Sequence, residues 1–394
     1  MIFSQPVYFL LLSLSVISFF LVPKRWRRQI LVISGLIFYG YFGGKYIFLV
    51  GGEILLLYFL MKRRSIYSFL FTLVLTVGIL VNFKYRLPIR DIFNNLNTFI
   101  QVKLDLPIGA LAAPLAISFF TFEFIHVAVD RYRGKIKSLS LTKLGAFIFF
   151  FPNLVAGPIK RFNDFDGQID QAEPTPQNIA IGIFRILIGL VKKLVIADTL
   201  ASISGEILTT SDGVQGATVL GMWLALFSFA WRIYFDFSGY SDIAIGSARL
   251  FGIIIPENFT QPYLKANITA FWRNWHRTLT RWLIDYIYIP LGGNRRGLFI
   301  TCCNTLIVMV VCGLWHGTTL NFFFWGVYHG ILLISYRLYK SVRRPLTLSH
   351  KLVPLNNVVS TLATFSLVSI GWLLFIAPLD IAIAAFTKMI GATQ

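Results

Sequence analysis

The most informative stretch of the chain spans residues 271–293 and reads FWRNWHRTLTRWLIDYIYIPLGG. On one continuous helix, at about 100° per residue, its aromatic side chains and its histidine fall on one face. That face comprises Phe271, Trp272, Trp275, His276, Leu279 and Trp282, and the other carries Arg273, Arg277 and Arg281. Two interpretations stay open: a helix beside a reaction chamber that binds an anionic ligand or lipid headgroup, and an interfacial helix in the headgroup layer.

The composition predicts an all-α, polytopic integral membrane protein. Of the 394 residues, 56% are hydrophobic and only 13% are charged, whereas soluble proteins have about 25% charged residues. Apolar runs occur near 7–22, 31–60, 66–82, 110–129, 144–157, 179–197, 217–235, 241–255, 301–314, 320–336 and 358–377. We expect roughly ten to eleven transmembrane helices around a cavity, with short re-entrant or interfacial helices, since a full span needs about 20 residues. A break is expected at Gly43-Gly44-Lys45, and residues 1–394 are interpreted as a single membrane domain.

The net charge of +19 comes from 36 Lys and Arg against 17 Asp and Glu. Basic residues flank the apolar runs, as at 24–28, 62–64 and 131–137, so the positive-inside rule accounts for most of the excess. A nucleic-acid partner is therefore not predicted, although such loops would attract an anionic cytosolic cosubstrate. The acidic, proline-containing segment 163–178 is expected to be an exposed loop that divides an N-terminal from a C-terminal helical part.

Among the histidines, His316 is the strongest candidate for chemistry. It interrupts an apolar run in Gly-Leu-Trp-His-Gly, and ionisable groups at membrane depth are costly and often functional. Histidine is also the usual general base near neutral pH; the alternative is a hydrogen bond between helices. His126 could form a proton relay with Glu123 or a structural hydrogen bond, His329 is expected to pack near the site, and His350 to be exposed.

Other chemistries find little support in the chain. No His-x-x-x-His or His-Glu-x-x-His pattern occurs, so no metal site is predicted. Cys302, Cys303 and Cys312 are expected to act as small hydrophobic residues. The acids Asp236, Asp242 and Asp285 could serve a proton-coupled transporter, but pairing with Arg232, Arg249 and Arg281 is the preferred interpretation.

Motifs along nearly the whole chain show a family resemblance. They are Phe3-Ser-Gln-Pro6, Asn82-Phe-Lys-Tyr85, the runs 114–122, 130–134 and 151–159, Lys192-Lys193 with Ala197-Asp198, the run 234–246, the stretch 271–293 and Gly313-Leu-Trp-His-Gly317. With these motifs in this order, the chain resembles the membrane-bound O-acyltransferase superfamily, and within it the bacterial alginate O-acetyltransferase-like branch. The chain looks short for that branch, and its tail is a loose match.

The resemblance implies a bundle of membrane helices around a central tunnel, with His316 as the catalytic histidine and His276 as the second signature residue. Substrate-binding residues are expected to be Trp272, Trp275, Arg273, Arg277, Trp282, Asp285 and Trp315. It implies an enzyme of the cell's inner membrane that moves an acyl group, most simply acetyl, from a cytosolic thioester for polysaccharide O-acetylation. Acetyl-CoA is the expected donor, with no bound cofactor. The expected partners are membrane lipids and an extracytoplasmic acyltransferase or polysaccharide acceptor.

In the expected mechanism, His316 acts as general base on the acceptor hydroxyl. His276 polarises the carbonyl or holds the acyl group, and the tryptophan face excludes water. Two alternatives for the function are D-alanyl transfer to teichoic acid and, from another class, transport of a polysaccharide or lipid-linked precursor. A third is a structural scaffold for an envelope complex.

Overall fold

The computed structural model describes residues 2–89, 113–342 and 353–392, and most of these residues are helical. The chain divides into two compact units. The first comprises Met1–Ile188 and Tyr240–Pro256, and the second comprises Gly189–Gly239 and Glu257–Gln394. The all-α architecture is as expected, and the single membrane domain stays a prediction.

The first unit contains eight short to medium helices within its described residues. They are α1 (Pro6–Leu21), α2 (Arg27–Gly43), α3 (Ile47–Leu60), α4 (Ile66–Lys84), α5 (Ile117–Tyr132), α6 (Leu141–Ile148), α7 (Phe162–Ile169) and α8 (Pro176–Leu190). The expected break between α2 and α3 is confirmed, because Gly44 has a φ of 58° and a short 3-10 turn follows it.

The second unit carries the stretch 271–293. Its helices are α9 (Asp198–Thr209), α10 (Ser211–Gly216), α11 (Val219–Leu250), α12 (Ile268–Asn274), α13 (Arg277–Leu283), α14 (Gly297–His316), α15 (Leu320–Val342), α16 (Val353–Ile376) and α17 (Leu379–Met389). The π-helical segment Val191–Ala197 directly precedes α9, and a second one, Ile284–Tyr288, directly follows α13. From Tyr240 onward, the residues of α11 belong to the first unit.

Several of the helices are long and apolar enough to cross a membrane. Across the described residues these candidate spans are Lys24–Leu60, Ile66–Lys84, Val219–Leu250, Gly297–His316 and Pro354–Ile376, and Pro6–Leu21 is a shorter apolar helix. Three of the predicted apolar runs do not form separate spans. The runs 217–235 and 241–255 form the one helix α11, because no proline interrupts it. The run 144–157 forms only the eight-residue α6, because Pro152 and Pro158 follow and proline ends helices.

The acidic segment 163–178 is not a free loop, which corrects the expectation. It contains α7, and Arg28 of α2 holds it through ion pairs of 2.8 Å to both Asp166 and Asp170. Lys143 adds a further ion pair of 2.8 Å to Asp166. The hydrogen bond from Arg28 lowers the pKa of Asp170 below its ordinary value. Part of the basic cluster at 24–28 therefore has a structural use besides any role in topology.

A buried ion pair joins α5 to the segment before α7. Lys160 Nζ lies 2.5 Å from Glu123 Oε1, and the two residues are 2% and 6% exposed. His126 Nε2 instead accepts a hydrogen bond from the Phe162 backbone N–H and lies 3.5 Å from Asp130. The proposed His126–Glu123 relay is therefore wrong, and the structural interpretation of His126 is supported.

The acids of α11 take different partners from those expected. Asp236 forms an ion pair with Lys193 of the π-helical segment, and Asp242 lies 3.0 Å from Arg185 of α8. The expectation had named Arg232 and Arg249, which lie on the same helix as these acids. Because long basic side chains reach across a helix pair, spacing along one helix does not decide the partner.

Candidate active site

His276 lies at a break between two short helices, so the expected continuous helix over this stretch is wrong. α12 ends at Asn274, α13 begins at Arg277, and His276 has the left-handed backbone angles φ 41° and ψ 52°. Asn258 stabilises the break. Its backbone carbonyl accepts from Arg277 N at 2.9 Å, and its side chain accepts from the Thr278 hydroxyl at 2.6 Å. Contacts of this kind offset the conformational strain of a non-glycine residue at positive φ.

The predicted division of the stretch into two faces is nevertheless confirmed. Trp272, Trp275, His276 and Trp282 are buried, and the arginines at 273, 277 and 281 are exposed. The break occupies only two residues, so α12 and α13 each keep an apolar face towards the interior of their unit. The break in the backbone therefore does not change which side chains are buried and which are exposed.

The hydrogen bond to Asn258 determines the state of the His276 ring. His276 Nδ1 lies 3.3 Å from Asn258 Oδ1, and an amide oxygen can only accept a hydrogen bond, so Nδ1 carries the proton. Burial, and then the neighbouring His316, lowers the pKa of His276 well below its ordinary value. The neutral ring therefore presents a lone pair at Nε2, which has no hydrogen-bond partner among the residues described.

His316 ends α14, and a glycine contact between α14 and α15 sets its position. A Cβ on Gly313 would meet the Phe322 carbonyl oxygen at 2.2 Å, and one on Gly326 would meet the Met309 carbonyl oxygen at 2.5 Å. The two backbones touch at this point because neither residue has a side chain. Gly313, three residues before His316, therefore permits close approach of the α15 backbone.

An aromatic cluster brings the two histidines to one place. The His316 ring contacts the rings of Trp315, Trp325 and Phe375 at centroid distances of 4.8, 5.3 and 5.1 Å. Trp315 also contacts the ring of His276 at 6.2 Å. Trp315 is thus placed beside both predicted catalytic residues, and the site is built from α13, α14, α15 and α16.

The remaining predicted substrate-binding residues are more dispersed. Trp275 packs against Trp372 at 5.0 Å and Phe259 at 5.1 Å, and Trp282 packs against Tyr286 at 5.1 Å. Asp285 is half-buried in the segment Ile284–Tyr288, and Arg277 donates to Thr260 at 2.8 Å. Their roles in substrate binding stay predictions.

A cavity of about 720 Å³ opens in the same unit. The arginines that line it are Arg273, Arg295, Arg296 and Arg337. Its apolar lining includes the buried residues Trp272, Met309 and Cys312. An apolar cavity with exposed guanidinium groups suits a ligand that has an anionic end and a less polar end.

Three residues of the site were missed or undervalued by the sequence reasoning. Asn258 lies in a polar segment with no motif, so nothing signals its contact with His276. Trp325 and His329, by contrast, are spaced i and i+4 on α15, which places them on one helix face. Their rings contact at 4.8 Å. His350, expected to be exposed, lies outside the described residues.

Comparisons with known proteins identify the family of the chain. Residues 53–376 match the model of the membrane-bound O-acyltransferase family. The chain belongs to the membrane-bound O-acyltransferase family. It is therefore an acyltransferase and a multi-pass membrane protein, which confirms the resemblance on which the sequence interpretation depends. The transporter and scaffold alternatives lose their support.

Within the membrane-bound O-acyltransferase family, the chain is similar to proteins that modify different polymers. It is 36% identical to a probable alginate O-acetylase of Pseudomonas aeruginosa, over 95% of this chain and 72% of that protein. It is 33% identical to a peptidoglycan O-acetyltransferase of Helicobacter pylori, over 99% and 80% of the two chains. A teichoic acid D-alanyltransferase of Bacillus subtilis is 28% identical over 66% and 68%.

Proposed function

We propose that this acyltransferase moves an acetyl group from a cytosolic thioester, acetyl-CoA, for the O-acetylation of an envelope polysaccharide. The observation that carries the proposal is the meeting of His276 and His316 at one aromatic cluster in a chain of this family. The names of the relatives support an acetyl group and a glycan acceptor, since two of the three described above are named as an alginate O-acetylase and a peptidoglycan O-acetyltransferase. We place the protein in the inner membrane, where a cytosolic donor and an extracytoplasmic acceptor are both within reach.

The arginine-lined cavity is the proposed entrance for the donor. Acetyl-CoA carries phosphates at one end and the thioester at the other, which matches a cavity lined by arginines such as Arg273 and Arg337 and by apolar residues. Arginine binds phosphate through several N–H donors at once, so these contacts would orient the donor as well as attract it. Trp272 lines the same cavity and belongs to the aromatic cluster of the histidines.

In the proposed reaction, the acceptor hydroxyl oxygen attacks the thioester carbonyl carbon. His316 accepts the hydroxyl proton as the new C–O bond forms. The C–S bond then breaks, and the leaving sulfur takes the proton back from His316. The surrounding rings of Trp315, Trp325 and Phe375 keep water away and so suppress hydrolysis of the thioester.

We assign His276 to orienting the acceptor hydroxyl. Its Nδ1–H is engaged by Asn258, so Nε2 accepts a hydrogen bond and does not donate one. This differs from the expectation that His276 polarises the acyl carbonyl, which would require an N–H at Nε2. A neighbouring hydroxyl of the glycan acceptor donates to His276, which orients the acceptor and leaves the attacking hydroxyl to donate its own proton to His316.

The partner is proposed to be an extracytoplasmic acyltransferase or the polysaccharide itself. D-alanyl transfer to teichoic acid is retained as an outcome of the test, because a D-alanyltransferase is among the similar proteins.

The test is mild-base release of ester-linked groups from the envelope polymers of cells that carry wild-type protein or His316→Ala at matched levels. We expect released acetate to fall about 10²-fold or more in the variant, as for loss of a general base. His350→Ala, in the predicted basic loop, is the matched control and should release as much acetate as wild type. Loss of alanine in place of acetate would move the assignment to D-alanyl transfer, and no change in either would refute the proposal.

A further inference from the structure

Three buried side chains beside His316 carry polar atoms that the protein leaves unsatisfied. Trp272, Trp325 and His329 are 6%, 0% and 0% exposed. Within the described part of the chain, the indole Nε1 of each tryptophan and both ring nitrogens of His329 have no hydrogen-bond partner. Buried polar groups are nearly always hydrogen-bonded, because an unsatisfied one is destabilising. A group from outside the chain is therefore expected to satisfy them.

The three side chains form one cluster, which we call the indole–imidazole site. The ring centroids of Trp272 and His329 are 5.1 Å apart, those of Trp325 and His329 are 4.8 Å apart, and those of the two tryptophans are 5.6 Å apart. Trp272 lines the arginine-lined cavity, and Trp325 contacts His316. A chain of direct contacts thus connects the cavity to His316 through this site.

The chemistry of these atoms limits what can bind there. Indole nitrogens only donate hydrogen bonds, and a neutral imidazole has one donor and one acceptor. The three side chains together offer three donors and one acceptor. The matching ligand group accepts two of these hydrogen bonds and donates one, which leaves one donor for a buried water. A secondary amide does this, because its carbonyl oxygen has two lone pairs and its nitrogen carries one hydrogen.

We propose that the indole–imidazole site binds an amide in the thiol arm of the donor, between the anionic end at the arginines and the thioester at His316. The inference deepens the proposed function and rests on it, because acetyl-CoA has amides in that part of its structure. Trp272, Trp325 and His329 are on this account positioning residues, which set where the thioester carbonyl lies and do not touch the reacting atoms. The competing occupant is buried water, which also satisfies two to four polar groups.

The decisive variants are Trp325→Phe and Trp272→Phe, which keep an aromatic ring and remove the unpartnered N–H together with one of the two fused rings. With the purified full-length protein in detergent, we expect the Kd and KM for acetyl-CoA to rise about three- to tenfold for each. The Kd, measured without turnover, is the deciding readout, because Trp325 also contacts the ring of His316 and its replacement can change kcat as well. The melting temperature should fall only by the cost of the cavity that the smaller ring leaves, because the lost N–H had no partner in the unliganded protein.

Trp372→Phe is the matched control from the same aromatic cluster. The Trp372 indole N–H already donates to the Tyr263 hydroxyl at 3.0 Å. Trp372→Phe leaves a similar cavity and also breaks this hydrogen bond, so it should lower the melting temperature further than Trp325→Phe does and leave the Kd for acetyl-CoA unchanged.

His329 is tested by a pair of substitutions and by a smaller donor. His329→Gln keeps a donor and an acceptor and should preserve more affinity for acetyl-CoA than His329→Leu, which has neither. Cleavage of S-ethyl thioacetate, which has no amide, should fall less in Trp325→Phe and Trp272→Phe than cleavage of acetyl-CoA does. If His329→Leu does not fold, the two tryptophan variants decide the question.

The outcomes distinguish failure of the inference about the indole–imidazole site from failure of the proposed function. If wild type binds acetyl-CoA and the tryptophan variants bind it equally well, water occupies the site and the inference is overturned while the proposed function stands. If the variants lose S-ethyl thioacetate cleavage as much as acetyl-CoA cleavage, the role is general packing and the inference is again overturned. If wild type does not bind acetyl-CoA, the proposed donor and the inference both fail.

Discussion

A single side-chain amide decides the chemistry available at His276. Asn258 contacts the ring at Nδ1 and accepts from Thr278, and its backbone accepts from Arg277. It therefore holds both the left-handed turn and the tautomer of the ring. Such an orienting partner is commonly as sensitive to substitution as the group that it orients, because small displacements in an active site are costly.

Asn258→Ala is therefore expected to lower kcat by about tenfold to a hundredfold, since a misplaced catalytic group costs up to about 10²-fold. The KM for the donor should change little, because Asn258 does not line the cavity. Steady-state acetyl transfer with the purified protein measures both constants. A kcat equal to wild type in a folded variant would show that ring orientation at His276 does not matter for the reaction.

His276 also makes stability depend on pH. Its folded pKa lies well below the ordinary value because it is buried, whereas in the unfolded chain it is about 6.5. Below about pH 6.5 the unfolded state therefore binds more protons, and stability falls by up to about 1.4 kcal/mol per pH unit. Melting temperatures at pH 7.5, 6.0 and 5.0 should fall more steeply for wild type than for His276→Gln. Parallel curves would contradict a neutral, buried His276.

At the scale of elements, the contact between α14 and α15 is the feature that places His316. Gly313 and Gly326 allow the two backbones to touch, and both glycines are visible in the sequence. Their pairing was not, because many glycines occur in this chain and only the folded structure shows which face one another.

Gly313→Ala is expected to destabilise the protein by about 1–3 kcal/mol, the usual cost of overpacking. Activity should also fall, because His316 lies three residues further along the same helix. Gly78→Ala in α4 is the matched control, since a Cβ there meets nothing within 4 Å. That control should be neutral or stabilising by up to about 1 kcal/mol. Thermal unfolding of both variants in the same detergent tests the contrast, and equal melting temperatures would contradict the close contact.

At the break at His276, the sequence predicted which side chains are buried but did not predict the conformation of the backbone. The positions of the tryptophans and arginines in the stretch 271–293 predicted correctly which side chains are buried. They could not predict the break. One continuous helix, and two short helices separated by only two residues, expose the same side chains. The contacts of Asn258 decide between the two, and they come from a distant part of the sequence.

At the scale of the whole molecule, buried charge contributes to the first unit while the candidate site belongs to the second. The ion pair of Lys160 and Glu123 is almost completely buried, and Lys160 also lies 4.3 Å from the centre of the Phe147 ring. Burial lowers the pKa of Lys160, and the carboxylate opposes that effect. Such a pair is sensitive to the loss of one partner, because the other is left as an uncompensated buried charge.

Lys160→Met is expected to destabilise the protein by about 3–5 kcal/mol, and the double variant Lys160→Met, Glu123→Leu by much less. The yield of folded protein should follow the same order, whereas the acetyl-CoA KM of the folded fraction should match wild type. Thermal unfolding and expression levels of the single and double variants measure the effect. A double variant no more stable than the single one would show that the pair is not the reason for the loss.

By itself, the sequence determined the membrane class, the family and the two histidines to examine, because composition, apolar run length and short motifs are properties of the chain. It also determined which face of the stretch 271–293 is buried. The tertiary structure alone decided that Lys160 pairs with Glu123 and that Asn258 contacts the His276 ring. It also brought Trp272, Trp325 and His329 together with unsatisfied polar atoms. These outcomes depend on contacts between residues far apart in sequence, whose energies come from burial and hydrogen bonding that no local pattern records.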